Sequence, residues 1–303
     1  MALATSVPLR TRLTGGLLDR ERPLGYLLLL PATVVLGIFL AYPFAFGIWL
    51  SLTDASIGGG QANFVGLAQY QYLFLHDQIF RRTLANTFEY TFVTVIFKFI
   101  LGLAMAAVLN VVYRGNQFVR AAMLLPYIVP TVLSTLAWQW MFDPTYSVFN
   151  WTLALAGIKG PNWLSTGHWP MISLMLVNVW RGTPFFGVLL LAAMQTVPQD
   201  LYEAGAVDGA SAFQRWLHIT IPTIQPVILI TTLLSIILTF ADFQIIWVLT
   251  HGGPVNETHV LATYAFQTGI QGTDLGTGAA ISLVLFPLLC ITVAAVLWLL
   301  RRE

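Results

Sequence analysis

The chain of 303 residues is 57% hydrophobic and 9% charged, with a mean hydropathy of +0.76. A soluble domain carries about 25% charged residues, so this composition excludes a soluble surface and turns most of the chain toward lipid or other apolar helices. The net charge of +1 leaves no basic footprint for nucleic acid, and a single cysteine, Cys290, excludes an intrachain disulfide.

Residues 1–23 hold Arg10, Arg12, Arg20 and Arg22 and read as a cytoplasmic N-terminal segment. A spanning helix needs roughly 20 mostly apolar residues. Six stretches qualify, at 24–50, 84–112, 119–141, 170–194, 222–249 and 278–300. The first is too long for a signal-peptide core and reads as a retained span. Its Pro31 and Pro43 are tolerable in a membrane helix, and Tyr42 and Trp49 suit an interfacial belt. Cys290 falls in the sixth run, as a small core or lipid-facing residue.

Orientation follows from the basic residues. With the N-terminus inside, Arg10, Arg12, Arg20, Arg22, Arg114, Arg120, Arg215, Arg301 and Arg302 fall on inner segments, and Arg81, Arg82 and Lys159 on outer ones. That asymmetry predicts an all-α, polytopic membrane protein with six transmembrane helices and both termini cytoplasmic. Its outer loops, at 51–83, 142–169 and 250–277, are rich in Gly, Pro, Asn and aromatics.

Several chemistries lack their residues. An ATP-binding P-loop needs G-x-x-x-x-G-K-[ST], and neither lysine, Lys98 or Lys159, follows a glycine. His218, His251 and His259 are isolated rather than at zinc spacing, and no G-x-S-x-G elbow occurs. The expectation is therefore no catalytic residue, no metal and no cofactor in this chain.

The long inner loop, about 195–221, is the most informative segment. Pro198 suits the first position of a helix, and Asp200 and Glu203 suit its positive end. Gly209 suits the left-handed turn after a helix, with a second short helix expected from Ala210 to Trp216. Leu201, Ala204, Gly205 and Asp208 share one face, small enough for another protein to approach closely.

This segment resembles the EAA loop of ABC importer permeases: Glu-Ala-Ala, three residues, Gly, nine residues, Ile, one residue, Leu-Pro. Here Glu203, Ala204, Gly205, Gly209, Ile219, Ile221 and Pro222 meet the spacing throughout. The two departures, Gly205 for alanine and Ile221 for leucine, are mild. Phe64-Val-Gly66-Leu67 with Tyr70, Leu84-Ala-Asn86-Thr87, Leu125-Pro126 with Pro130, Trp180-Arg181-Gly182-Thr183-Pro184-Phe185 and Leu249-Thr250-His-Gly252-Gly253-Pro254 are similar to the carbohydrate branch of that family. The likeness, greatest to the F-type subunits of maltose transporters, runs from about residue 24 to 300.

The resemblance implies a permease domain over 24–303, with its coupling loop at about 198–222, in a bacterial inner membrane. It implies a second permease subunit as heterodimer partner and an ATPase dimer that binds ATP and Mg and docks on the loop. A periplasmic or lipid-anchored solute-binding protein would deliver the substrate, and the transport mode would be alternating access. Glu203, Ala204, Gly205, Asp208, Gly209, Ile219 and Pro222 would form the ATPase contact. A carbohydrate is the expected cargo; a non-sugar solute such as glycerol phosphate or a polyamine is the alternative, and a secondary transporter, which needs no docking loop, is the reading from another class.

Polar residues in a span usually face the bundle interior. On a helical wheel Thr231, Ser235, Thr239 and Asp242 fall within about 80°, and Asn178, Arg181, Gly182 and Phe185 within about 100°. An aromatic ring among hydrogen-bonding groups suits a sugar, which has apolar ring faces and hydroxyl edges. The substrate-contacting positions of the resembled family fall on Arg181, Gly182, Phe185, Ser235, Leu238, Thr239 and Asp242. Interhelical hydrogen bonding is the competing role for these groups. Arg181 is expected either to pair with Asp242 or to meet an acidic group on the substrate. Lys98 and Glu89 lie nine residues apart, on opposite faces of one helix, which leaves Lys98 to face a polar cavity or a neighbouring subunit.

Overall fold

The computed structural model of the chain describes residues 21–111 and 115–300. Arg10, Arg12, Arg20, Arg114, Arg301 and Arg302 lie outside the described residues, together with most of the predicted N-terminal segment. Within the described residues the chain is nearly all helical.

The described residues up to Trp49, 21–49, form a unit of their own. Helix α1 (Glu21–Leu36) passes through a π turn, Gly37–Ala41, into α2 (Tyr42–Ser51). The turn is wide because Pro43 has no N–H for the Phe39 carbonyl and its ring pushes that carbonyl aside. The Tyr42 N–H accordingly reaches back five residues to the Gly37 carbonyl. Gly25–Ser51 is long and apolar enough to span a bilayer, as the sequence predicts.

The second unit begins at Leu50. After α3 (Ala68–Leu75), α4 (Gln78–Asn110) starts six residues before the predicted 84. Asp77 sets that start: its carboxylate accepts from the Phe80 N–H at 2.9 Å and from the Tyr264 hydroxyl at 2.6 Å. Such a cap contributes about 1 kcal/mol.

The third predicted span, 119–141, is not one helix. It is α5 (Asn116–Ile128) and α6 (Thr131–Met141), bent by 92°. Pro130 supplies no donor to continue α5, and a residue before proline avoids the helical region; Val129 is extended at φ −65°, ψ 133°. The fourth span is α8 (Trp169–Met194), preceded by α7 (Val148–Leu155) in the loop before it.

The fifth predicted span, 222–249, is also interrupted. Its helix, α11 (Ile221–Phe240), stops at a break over residues 241–243, and α12 (Gln244–Leu249) follows. A short helix, α13 (Leu261–Phe266), and α14 (Leu275–Leu300), the sixth span, complete the described fold.

The core lies where α4, α8 and α11 meet. Met105, Leu109, Phe186, Leu190, Ile236 and Phe240 are buried there in one apolar cluster. The α4–α8 crossing is tight because Gly102 faces the Phe186–Gly187 backbone and Gly187 faces the Met105 side chain.

Candidate functional site

Helices α4, α5, α6, α8, α11 and α12 enclose a cavity of about 490 Å³. All eight residues predicted for the substrate pathway line it: Asn178, Arg181, Gly182 and Phe185 from α8, Ser235, Leu238 and Thr239 from α11, and Asp242 from the break beyond α11. Lys98, Tyr127, Thr131 and Gln244 line it as well. Thr231, on the same predicted stripe, is buried outside this lining.

Lys98 therefore faces the polar cavity. Its Nζ donates to Thr239 Oγ1 at 2.8 Å, and the Thr239 hydroxyl donates to the Ser235 carbonyl at 2.6 Å. Glu89 is exposed on the opposite face of α4. Gly182 makes room for Lys98, since a Cβ at 182 would overlap the lysine stem. We expect Gly182→Ala to push Lys98 off Thr239 at a cost of about 1 kcal/mol, the worth of one hydrogen bond, read as a lower thermal midpoint of the purified protein.

The expected ion pair between Arg181 and Asp242 is absent: among the described residues, Arg181 pairs with no carboxylate within 4.0 Å. The reason is that Asp242 is engaged elsewhere. Its Oδ2 accepts from the Tyr90 hydroxyl at 2.7 Å and from Asn178 Nδ2 at 2.9 Å. Arg181 is left in the cavity wall with its Nε buried and unpartnered. Phe185 stacks on Tyr127 with ring centroids 6.1 Å apart. Cationic donors, hydroxyls and a stacked aromatic pair can hold a sugar by its hydroxyl edges and ring face.

Tyr90, Tyr127, Thr131 and Gln244 escape the sequence reading. A signal for Tyr90 and Lys98 exists, because Asn86, Tyr90, Thr94 and Lys98 recur every fourth residue along α4 and all four are buried. Their periodicity is diluted by the aromatic and β-branched residues between them.

The loop after α8, expected to carry the ATPase contact, is a helix-turn-helix. Helix α9 (Gln199–Val207) begins one residue after the expected start, with Pro198 as the flanking residue at φ −59°, ψ 134°. It ends where the glycine signal predicts: Gly209 sits at φ +79°, the Gly209 N–H bonds the Ala206 carbonyl, and the Ala210 N–H bonds the Gly205 carbonyl at 2.9 Å. This is the two-bond glycine cap of a helix C-terminus.

The second helix, α10 (Ala212–Arg215), starts two residues later than expected because Ser211 and Gln214 form a reciprocal cap. It continues through a π turn, Trp216–Thr220, into α11. Pro222 explains this turn as Pro43 explains the first: the Ile221 N–H bonds back to the Trp216 carbonyl.

Glu203, Ala204, Asp208 and Gly209 are exposed, and Pro222 is exposed at the start of α11. Gly205 is not on that surface. It faces inward, where an added Cβ would lie 3.1 Å from Ile219 and 3.3 Å from Arg215. Its small size lets α9 approach the chain's own second helix rather than another protein. Tyr202 and Thr220 share a 2.8 Å hydroxyl bond, and Arg215 Nη1 donates to the Tyr202 carbonyl at 3.2 Å.

The family described as "Binding-protein-dependent transport system inner membrane component" matches residues 98–303. The chain belongs to this family. The permease is 38% identical, over 91% of its length and 93% of the relative's, to the trehalose/maltose transport system permease protein MalF of Thermococcus litoralis. It is 33% identical, over 90% of its length and 89% of the relative's, to the sulfoquinovosyl glycerol transport system permease protein SmoG of Agrobacterium fabrum. Its fold is shared, at a TM-score of 0.81 and 24% identity over 92% of this chain and 94% of the other, with a bacterial alginate ABC transporter solved in complex with an alginate pentasaccharide-bound periplasmic protein. The permease is a multi-pass membrane transport component and not an enzyme.

Proposed function

We infer that the permease is one membrane subunit of an ATP-driven, binding-protein-dependent importer that carries a carbohydrate across the bacterial inner membrane. The observation that carries this reading is mechanical. The loop carrying Glu203 and Gly209 runs through the Trp216–Thr220 turn directly into α11, the helix that supplies Ser235, Leu238 and Thr239 to the cavity. Movement imposed on the loop is thereby delivered to the cavity wall.

In this reading residues 24–303 form the permease domain, both termini and the loop at 198–222 face the cytoplasm, and the cavity is half of a pathway completed by a second permease. ATP and Mg are bound by a separate ATPase dimer that docks on Glu203, Ala204, Asp208 and Gly209. Gly205, Ile219 and Pro222 shape the loop from within. A solute-binding protein delivers the sugar on the outer side, and alternating access follows from the loop driving α11. Arg181, Lys98 and the Phe185–Tyr127 pair are the groups that meet the sugar.

Mild-detergent purification of the permease from its host, with mass spectrometry of the companions, tests this directly. A second permease and an ATPase with a Walker lysine are expected. A homo-oligomer without ATPase would return the secondary transporter to first place.

A further inference from the structure

Tyr90 is wholly buried, and its hydroxyl hydrogen bond to Asp242 is 2.7 Å long. Asn178 on α8 donates to the same carboxylate oxygen at 2.9 Å, while Asp242 Oδ1 lies 3.5 Å from the Ile245 N–H in the first turn of α12. One carboxylate thus ties α4 and α8 to the point where the chain passes from α11 to α12. The break itself, Ala241-Asp242-Phe243, contains neither proline nor glycine; its one local signal is Asp242, which addresses the first turn of α12 as a helix-start residue does. The two bonds from α4 and α8 fix that carboxylate in place.

We propose that Tyr90 is a positioning residue of the transport cavity: together with Asn178 it fixes Asp242, and through Asp242 the α11–α12 break, so that Asp242 shapes the cavity wall instead of contacting the sugar. This rests on the reading of the cavity as the transport pathway. A carboxylate has about four acceptor sites, and three donors already address this one. Among the described residues of the wall, unpartnered buried polar atoms remain on Arg181, at Nε, and on Asn178, at Oδ1, but not on Asp242. Lys98 meets the wall independently, through Thr239.

The experiment uses the assembled importer, with Leu238→Cys as reporter in a Cys290→Ala background. Leu238 lines the cavity and is 63% exposed. The rate at which a bulky maleimide labels this chain is followed by mass spectrometry without nucleotide. Tyr90→Phe and Asp242→Ala are expected to raise that rate by about tenfold, the scale of a lost hydrogen bond to a charged group. Basal ATP hydrolysis is expected to rise with it, whereas simple loss of folded protein would lower hydrolysis. Asp242→Asn is expected to restore the wild-type rate, because one amide oxygen can accept from both Tyr90 and Asn178.

Unchanged labelling in Tyr90→Phe and Asp242→Ala would overturn the proposal. So would an Asp242→Asn effect as large as that of Asp242→Ala, since it would make the charge itself the acting feature. If Tyr90→Phe fails to assemble, the contrast between asparagine and alanine at 242 decides the question. Recovery of the wild-type complex with its ATPase is scored separately and tests the functional reading alone.

Discussion

Gly209→Asp is expected to abolish uptake while leaving the chain folded and inserted. Gly209 holds φ +79°, and nothing lies within 4 Å of the position a Cβ would take. The substitution therefore meets no steric clash inside the permease, and aspartate is among the residues that tolerate the left-handed region. The cost within the fold is backbone strain of about 1 kcal/mol. Outside the fold the effect is larger. The new carboxylate projects from the exposed turn between α9 and α10, next to Asp208, where the ATPase would dock. A charge introduced against a closely packed partner can cost several kcal/mol, enough to lower coupled uptake by more than about a hundredfold. Gly209→Ala carries similar backbone strain without the charge, and is expected to keep most of the uptake. Uptake and ATP hydrolysis, measured side by side in proteoliposomes, separate the two. Normal uptake by the aspartate variant would remove the loop from the ATPase interface.

The contrast between this loop and the spans explains what the sequence could disclose. The loop's shape is set locally: Gly209 ends a helix by its own backbone freedom, and Ser211 and Gln214 begin the next by reaching each other. Spacing alone conveys such features. The cavity was legible in part for a similar reason, because Asn178, Arg181, Ser235 and Thr239 are polar interruptions of apolar helices and the 3.6-residue period brings them to one face.

Other features depend on partners far away in sequence. The break after Phe240 is held by Tyr90 and Asn178, which lie 152 and 64 residues from Asp242. No local pattern reports that. The same bonds explain why Asp242 does not pair with Arg181, an arrangement that charge alone would favour. The bend between α5 and α6 has a local cause in Pro130, but a proline alone does not announce a break: Pro31, Pro126, Pro184, Pro226 and Pro287 lie inside helices of this same chain. Gly205 matched the small-residue pattern of the loop, yet the pattern could not say whether its face met a partner or the chain's own Ile219.

Gly102→Val is expected to cost the permease its fold. A Cβ at this position would overlap the Cβ of Phe186 and lie 3.1 Å from the Gly187 nitrogen and 3.3 Å from the Phe186 carbonyl carbon. Two of those three atoms are backbone of α8, which cannot rotate away as a side chain could. Membrane helices associate largely through close packing at small residues, since lipid supplies little hydrophobic drive between them. Separating α4 from α8 therefore removes contacts that nothing else replaces. Overpacking of a core costs about 1–3 kcal/mol or more, and here the strain falls on the crossing that also sets the distance between Lys98 and Gly182. Gly102→Ala is expected to be destabilising but milder, because the overlap begins at the Cβ and grows with the added methyls. Gly47, inside α2 with nothing within 4 Å of its would-be Cβ, provides the comparison, and Gly47→Ala should leave the thermal midpoint of the purified protein unchanged or slightly raised, because alanine favours the helix. If Gly102→Val unfolds no earlier than Gly47→Ala in detergent, the α4–α8 crossing does not hold the cavity together. The Lys98–Thr239 link, α11 and the α11–α12 break would then need some other frame to hold their geometry.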